Sequence, residues 1–180
     1  MANIFCTKKL EKIIGKQNIN SNEVRSLIGD WNANVFYVNR KKFIFLINDL
    51  TCYSVIIPNF VKKDFPKFKE IFYQRFFDQL RYDKIIIDLK LINKLIEYPI
   101  NFMRTNNNRK VIGTMTQFIK DMDYFLCYHD QMQTLQELNH RMTNNLVTIF
   151  GTKKYDMDRP IDLMQELLNK TVKRYKHNKL

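Results

Sequence analysis

Two short basic segments carry the side chains best suited to hold an anion. Residues 104–110 read RTNNNRK and precede a predicted helix, whose first turn has free backbone N–H groups that can bind phosphate. Guanidinium groups such as those of Arg104 and Arg109 bind phosphate oxygens through paired hydrogen bonds. Residues 40–42 read RKK, lie between two aromatic positions and could follow a phosphate backbone.

A third basic cluster closes the chain. It belongs to a predicted basic helix and tail at about residues 158–180, and residues 141–180 hold nine basic against four acidic side chains. The nucleic-acid or anion-binding interface predicted from the three clusters consists of Arg40, Lys41, Lys42, Arg104, Asn108, Arg109, Lys110, Lys173 and Arg174. Each cluster also has an ordinary interpretation as a polar turn, a solvated turn, or cations that complement a helix dipole. The 104–110 loop lacks the glycine spacing of a P-loop or a dinucleotide-binding motif, so it is a weak signal.

A second candidate site is a polar pocket at the start of a predicted strand. Asp30 and Asn34 could line this pocket beside the Asn108–Arg109 loop, with Trp31 between them. In the alternative interpretation, Trp31 anchors the core and the two polar side chains bond to nearby backbone, as such residues do in turns. The structural alternative is the favoured one.

Catalysis finds little support in the sequence. The three histidines are His129, His140 and His177. A metal-independent ribonuclease could use His129 or His140 for acid–base catalysis, with an arginine or lysine to stabilise charge. Neither lies in the strongest motifs, and no serine-hydrolase, zinc-protease or paired-carboxylate pattern occurs. The sequence therefore predicts no catalytic residue, no metal site and no cofactor.

The overall charge favours a polyanionic partner. Thirty Lys and Arg against 18 Asp and Glu give a net charge of +12, which attracts polyanions at a distance. The alternative is compositional bias, because an AT-rich genome encodes many lysines, asparagines and isoleucines. Cys6, Cys52 and Cys127 lack metal-ligand spacing and predict buried thiols in a reducing compartment. With no signal peptide and no apolar run of roughly 20 residues, a cytoplasmic protein without membrane contact is predicted.

These side chains need a scaffold, and residues 29–58 supply its centre. Three apolar segments joined by short polar turns predict an antiparallel meander, with strands at 35–38, 43–47 and 53–57. Their continuous apolar character predicts strands that are covered on both faces.

Two more strands are predicted outside the meander. The first covers residues 3–6 and leads into a helix that Thr7 caps and Gly15 ends. The second covers residues 98–103 and is placed at a sheet edge, because Pro99 has no N–H to donate.

Apolar residues at helical spacing predict helices in most of the remaining chain. The predicted helices are 64–82 with Asp64 as cap, a helix opened by a Thr114–Gln117 capping box, 131–142, and a last helix with Asp158 as cap and Pro160 just inside. Residues 85–97 are predicted as a helical or mixed segment, with a strand at 85–87 as the alternative. Residues 16–26 are predicted as a loop and 146–151 as a connecting turn or short strand. The fold class is α+β: an antiparallel meander of three to five strands packed against several helices, in a single domain spanning residues 1–180.

Several stretches resemble a known family. They are IFCTKKLEK, LIGDWNANVFYVNRKKFIFLINDLTCYSVIIP, TNNNRKVIGTMTQF and LNHRMTNNLVTIFG. The matching positions are Gly29, Asp30, Trp31, Ala33, Asn34, Arg40, Lys41, Lys42, Asn108, Arg109, Gly113, Thr114 and Met115. The family is one of small bacterial and mobile-element proteins described only as a domain of unknown function. The resemblance implies one domain with a strand meander and no particular activity, and residues after Lys170 extend beyond the family pattern.

The function predicted first is non-enzymatic binding of the DNA or RNA backbone by the basic loops. The alternative is a phage- or plasmid-encoded regulator or inhibitor that binds a host or defence-system protein, which rests on the resemblance and on the missing catalytic motifs. A ribonuclease-like toxin is the third possibility. The first prediction requires basic side chains that are distant in sequence to meet on one surface.

Overall fold

A mixed five-stranded β-sheet forms the centre of the protein. The computed structural model describes residues 2–15, 18–20, 22, 26–128, 134–148 and 157–177. In chain order the elements are β1 (Ala2–Cys6), α1 (Lys8–Ile14), β2 (Trp31–Val38), β3 (Lys41–Asn48), β4 (Ser54–Pro58), a 3₁₀ helix (Lys62–Lys67), α2 (Phe68–Tyr82), α3 (Leu89–Glu97), β5 (Ile100–Arg104), α4 (Arg109–Tyr128), α5 (Leu135–Asn144), β6 (Val147–Thr148), β7 (Met157–Asp158) and α6 (Pro160–His177).

The sheet combines the predicted meander with two parallel strands. Its strand order is β4-β3-β2-β1-β5. β2, β3 and β4 are antiparallel neighbours, which confirms the meander. β1 is parallel to both β2 and β5, so the prediction of a purely antiparallel sheet is wrong. Parallel neighbours need a crossover connection, and here α1 connects β1 to β2 while α2 and α3 lie between β4 and β5.

β1 and β5 are shorter than β2 and β3, and their carboxyl ends form a step in the sheet. Cys6 lies opposite Ala33 of β2 on one side and opposite Arg104 of β5 on the other. β2 continues from Ala33 to Val38 before it turns into β3. At about 3.3 Å per residue, the β2–β3 hairpin projects roughly 16 Å beyond the carboxyl ends of β1 and β5.

Helices cover both faces of the sheet. Because alternate strand residues point to opposite faces, each strand contributes side chains to the cores on both faces of the sheet. On one face the Trp31 ring lies edge-on to Phe72 and Phe76 of α2, with centroids 5.2 and 5.4 Å apart. On the other face Phe45 meets Phe118 of α4 at 6.3 Å. The prediction of strands covered on both sides is confirmed for β3, in which residues 43–48 are all buried.

The first helix and the edge strand follow their predictions. Thr7 Oγ1 accepts the Leu10 N–H and Gly15 ends α1. β5 pairs with β1 on its inner side, and on its outer side the described residues form one isolated bridge, between Asn20 and Met103. The predicted 85–97 helix starts later, at Leu89.

Two predicted helix caps are wrong because the helices begin at other residues. Asp64 lies inside the 3₁₀ helix, where its Oδ2 accepts the Val61 N–H at 2.9 Å, and α2 begins only at Phe68. Asp158 belongs to β7, and α6 begins at Pro160.

The start of α4 is a third correction. The helix begins at Arg109, five residues before Thr114 of the predicted capping box, and Asn108 Oδ1 caps it by accepting the Val111 N–H at 3.4 Å. Thr114 is an interior helical residue whose hydroxyl donates to the Lys110 carbonyl oxygen at 3.2 Å. A side chain that can cap a helix therefore does so only where the approaching chain allows it.

Parts of four predictions lie outside the described residues. They are most of the 16–26 loop, residues 131–133 of a predicted helix, residues 149–151 of the connecting segment, and the basic tail after residue 177.

Gly29 lies just before the amino end of β2, where the β3–β4 turn packs closely against the chain. Its φ is +81°, a conformation that favours glycine. A Cβ at this position would lie 2.7 Å from Asp49 Oδ1 and 2.7 Å from Leu50 Cδ1. The next residue, Asp30, donates its N–H to Asp49 Oδ1 at 2.8 Å and accepts the Asp49 N–H at 2.9 Å. The glycine thus allows the β3–β4 turn to approach the entrance of β2.

Gly29→Ala is expected to lower the free energy of unfolding by roughly 1–3 kcal/mol, because it adds both backbone strain and a contact that is too close. Urea denaturation measures the change. Gly113→Ala is the matched control, since an added Cβ in α4 meets nothing within 4 Å. That variant should gain roughly 0.5–1 kcal/mol from helix propensity, and equal losses in both variants would contradict this account of Gly29.

Candidate functional site

The step in the sheet brings two of the three predicted basic clusters to one end of the molecule. β1, β2 and β5 are parallel, so the segments that follow them leave in the same direction. These segments are the start of α1, the β2–β3 turn and residues 104–110. We name the resulting surface the basic step, formed by Lys8, Lys9, Arg40, Lys41, Lys42, Arg104, Arg109 and Lys110. Lys8 and Lys9 were not among the predicted site residues.

The basic step is exposed and strongly cationic. All of its side chains except the partly buried Lys42 are exposed, and Glu11 is the one acidic residue in the same three segments. Ion pairs such as that of Lys170 with Glu166, whose charged atoms are 2.6 Å apart, occur elsewhere in the molecule. The members of the basic step that take part in none of these pairs include Arg40, Lys41, Arg104 and Arg109. Their charge is therefore available to a ligand.

An exposed aromatic ring lies among the cationic side chains of the basic step. Tyr37 is 47% exposed, and Lys9 Nζ lies 5.0 Å from the centre of its ring. Lys42 is directly opposite Tyr37 on β3. The combination of exposed aromatic and cationic side chains is typical of surfaces that bind single-stranded nucleic acids.

The 104–110 loop is shaped by its own polar side chains. Thr105 Oγ1 accepts the Asn107 N–H at 3.2 Å, and Asn106 Oδ1 accepts the Asn108 N–H at 3.1 Å. Asn108, predicted as an anion ligand, uses its oxygen as the cap of α4. These side chains therefore hold the backbone, whereas the two flanking arginines stay exposed.

A crevice opens where β1 and β5 end. Its volume is about 470 Å³. Its lining residues are Phe5, Ile19, Asn20, Met103, Arg104, Thr105 and Asn106. Phe5 and Met103 are buried strand residues, whereas the residues that follow β5 form an exposed or partly exposed rim. Arg104 thus belongs both to the crevice and to the basic step.

The third basic cluster lies elsewhere. Near the end of α6, Thr171 Oγ1 donates to the Leu27 carbonyl oxygen at 3.4 Å, and Leu27 leads into the amino end of β2. Lys173 and Arg174 follow this contact within one helical turn. The length of β2, about 26 Å at 3.3 Å per residue, separates that end from the hairpin turn. The structure does not bring these two residues together with the hairpin turn of the basic step.

The predicted pocket residues Asp30 and Asn34 belong to different clusters. Asp30 Oδ1 accepts the Asn3 side-chain N–H at 2.9 Å, whereas Asn34 Oδ1 accepts the Thr7 hydroxyl at 2.8 Å. Four residues of extended chain, about 13 Å, separate them. Trp31 is fully buried in the core between the two. These bonds join strand ends to each other.

His140 belongs to a buried polar cluster. Its Nδ1 lies 2.7 Å from Oδ1 of Asp83, whose side chain is completely buried. Asp83 also accepts the Tyr53 hydroxyl at 2.5 Å and the Gln79 side-chain N–H at 3.1 Å. Burial, and then the Asp83 carboxylate, raise the pKa of Tyr53 well above its usual range. The cluster joins α2 and α5 to the segment before β4. His129 and the His177 side chain lie outside the described residues.

Neither a membrane span nor a metal cluster occurs in the described part of the chain. There, no helix combines the length and the apolar content that a bilayer crossing needs. Within the same ranges, no three His, Cys, Asp or Glu side chains come close enough to hold a metal ion. Cys6 and Cys52 are buried free thiols, and burial raises the pKa of Cys52 to about 12. The side chain of Cys127 is outside the described residues.

The fold and the step define an α+β protein with a mixed sheet, in which a cationic surface and a crevice share the carboxyl ends of parallel strands. The chain belongs to the family described as "Domain of unknown function (DUF6933)", whose sequence model matches residues 3–163. This confirms the resemblance to a domain of unknown function. Comparisons with curated proteins and with solved structures find no match.

Sequence reasoning missed the apolar part of the crevice. Phe5 and Met103 lie on strands that are 98 positions apart in the chain and become neighbours only through parallel pairing. The available signal was that carboxyl ends of parallel strands carry ligand sites. An assumed antiparallel sheet concealed it.

Asp49 is the group near the predicted pocket with an unusual titration. Burial raises the pKa of its carboxyl to about 6, and the neighbouring Asp30 carboxylate adds to the rise. Because the ordinary value is 3.8, the folded protein holds this proton more tightly than the unfolded chain. The resulting stabilisation is complete below the unfolded pKa and is lost as the pH rises through about 6.

Asp49→Asn removes this pH dependence and keeps an oxygen that accepts the Asp30 N–H. Relative to the wild type, the variant should gain stability between about pH 4 and pH 7.5, by at most about 3 kcal/mol, and by less because Asp49 is partly exposed. Denaturant titrations of both proteins across this range measure the difference. Parallel stability curves would rule out the raised pKa.

Proposed function

We propose that the protein binds the phosphate backbone of DNA or RNA through the basic step. The observation that carries the proposal is the parallel pairing of β1 with β2 and β5, because it directs three separate basic segments to one end of the sheet. Arg40, Lys41, Lys42, Arg104, Arg109 and Lys110 contact phosphates in this proposal, and Asn108 positions the loop. Lys8 and Lys9 extend the same surface.

The energetic basis of the proposal is counterion release. Each phosphate that a lysine or arginine neutralises releases condensed cations, so the logarithm of the binding constant falls linearly with the logarithm of the salt concentration. Lys173 and Arg174 lie more than a Debye length, about 10 Å at 0.1 M salt, from the hairpin turn. They are therefore assigned no contact with the phosphates that the hairpin turn binds.

Arg40→Gln combined with Lys41→Gln tests the contribution of the hairpin turn. The double variant removes two proposed phosphate contacts, so the salt dependence of duplex DNA binding should become less steep by about two. At about 50 mM salt the affinity should fall roughly tenfold. Fluorescence anisotropy of labelled DNA and RNA oligonucleotides over a range of salt concentrations measures both quantities.

Lys84→Gln combined with Lys90→Gln is the matched control. Lys84 and Arg40 share a left-handed backbone, with φ of 58° and 64°, and Lys90 and Lys41 are both exposed. Lys84 follows Asp83, which accepts the Tyr53 hydroxyl just before β4 begins, and Lys90 lies in the first turn of α3; neither belongs to the basic step. This variant should keep the wild-type salt dependence. Equal losses of affinity in the two double variants would show that the effect comes from net charge and not from the hairpin turn. Failure of the protein to bind any nucleic acid at low salt would refute the proposal.

A protein-binding role is the second candidate, and the segment before α3 favours it. Ile86 and Leu89 are 80% and 75% exposed, which is unusual for large aliphatic side chains so close together. Gln165 holds the segment in place, because its side chain bonds to both the N–H and the carbonyl oxygen of Ile86 at 2.9 and 3.0 Å. In a mobile-element setting, such a surface would suit a regulator or inhibitor that binds a host or defence-system protein.

Ile86→Asn combined with Leu89→Gln tests this second role. If the patch binds a protein, a partner that co-purifies in a one-to-one ratio after nuclease treatment should be lost with this variant. It should be retained by the Arg40→Gln, Lys41→Gln variant. Thermal unfolding shows whether each variant is folded, and the opposite pattern of partner loss would exclude the patch.

A further inference from the structure

The crevice occupies the position at which open α/β sheets bind ligands. After β1 the chain enters α1, which packs against the face that carries Trp31, whereas after β5 it enters α4, which packs against the opposite face. When the connections of adjacent parallel strands leave to opposite faces, a cleft opens at their carboxyl ends. Phe5 of β1 and Met103 of β5 line such a cleft here.

The outer wall of the crevice is attached to the sheet. The Asn20 N–H donates to the Phe102 carbonyl oxygen at 2.7 Å, and the Asn20 side chain donates to Asn101 Oδ1. Asn101 in turn donates to the Asn22 carbonyl oxygen at 2.8 Å. Because these bonds hold Ile19 and Asn20 against β5, the crevice exists before a ligand arrives, which lowers the entropic cost of binding.

The lining favours a ligand with an apolar ring and an anionic group. Phe5 and Met103 are only 6% and 5% exposed and form an apolar floor. Arg104 supplies a guanidinium at the rim, and no carboxylate is among the lining residues. The side-chain oxygens of Thr105 and Asn106 accept N–H groups of their own loop, which leaves the Thr105 hydroxyl and the Asn106 amide as donors.

We propose that the crevice binds one unstacked nucleotide of a single-stranded nucleic acid, with the base against Phe5 and Met103 and the phosphate on Arg104. This inference rests on the proposed function and names its substrate class. The volume of about 470 Å³ lies within the range of about 300–1,000 Å³ that is usual for small-ligand sites. A base in an intact duplex is stacked and paired and has to leave the helix to enter, so single strands bind more tightly than duplexes.

The direct test is a titration with nucleoside 5′-monophosphates, followed through the methionine methyl groups by NMR. The Met103 methyl signal should shift and saturate, whereas that of Met164, which is fully buried against the other face, should stay unchanged. Nucleosides without phosphate and inorganic phosphate alone should each bind more weakly. A Met103 signal that does not move up to millimolar ligand, or equal binding of inorganic phosphate alone, would overturn the inference.

Two single-charge variants separate the crevice from the surrounding charge. Arg104→Gln should weaken monophosphate binding roughly ten- to hundredfold, the value of one charged hydrogen-bonded contact. Lys90→Gln removes one exposed positive charge outside both the crevice lining and the basic step and should leave monophosphate binding unchanged. Equal effects of the two variants would contradict a specific phosphate position.

Oligonucleotides separate failure of this inference from failure of the proposed function. Single strands and duplexes with equal numbers of phosphates are compared, and Arg104→Gln should reduce the preference for single strands. Salt-dependent binding with no such preference and no Met103 shift would overturn the inference and leave the proposed function standing. Monophosphate binding without oligonucleotide binding would refute the proposed function and single-strand binding by the crevice, and would leave a site for free mononucleotides. The absence of both would refute both.

Discussion

The backbone hydrogen bonds of β1 are the interaction on which the rest of the structure depends. All five residues of β1 are buried, and the strand pairs on one side with β2 and on the other with β5. It joins segments that are up to 98 positions apart, as in the pairing of Ala2 with Ile100. Both pairings are parallel, and this gives the hairpin turn and the 104–110 loop a common direction. An antiparallel β5 would place that loop at the opposite end of the sheet.

The same pairing explains the many asparagines and threonines near the ends of strands. β1 ends five residues before β2 does, so backbone groups of β2 lose their neighbour at this level. The Thr7 N–H donates to the Ala33 carbonyl oxygen at 3.0 Å, and Asn34 Oδ1 accepts the Val35 N–H at 2.8 Å. Small polar side chains thus satisfy the backbone around the step. Longer cationic side chains remain available for a ligand.

Local features were predicted well, and features that depend on distant partners were not. The meander and the Thr7-capped helix follow from short-range patterns, and so does the burial of Trp31. The direction of β1 and β5 does not follow from such patterns, because the apolar pattern of a five-residue strand is the same for parallel and antiparallel pairing. The caps assigned to Asp64, Thr114 and Asp158 failed because α2, α4 and α6 begin at other residues, and the positions of helix starts are not determined by local capping patterns alone. In the candidate site, two of the predicted basic clusters lie at a common end of the sheet. The apolar floor of the crevice was not predicted from the sequence.

The sequence alone determined the class of the elements and the sites of charge. Alternation of apolar residues and turn chemistry are local properties, and the positions of Arg40 and Arg104 in polar segments make them surface residues in any compact fold. The tertiary structure decided which of these segments meet. Strand order and orientation depend on burial of distant residues against each other, so only the folded chain places Phe5 beside Met103 and directs Arg104 to the same end as the hairpin turn, while Lys173 lies elsewhere.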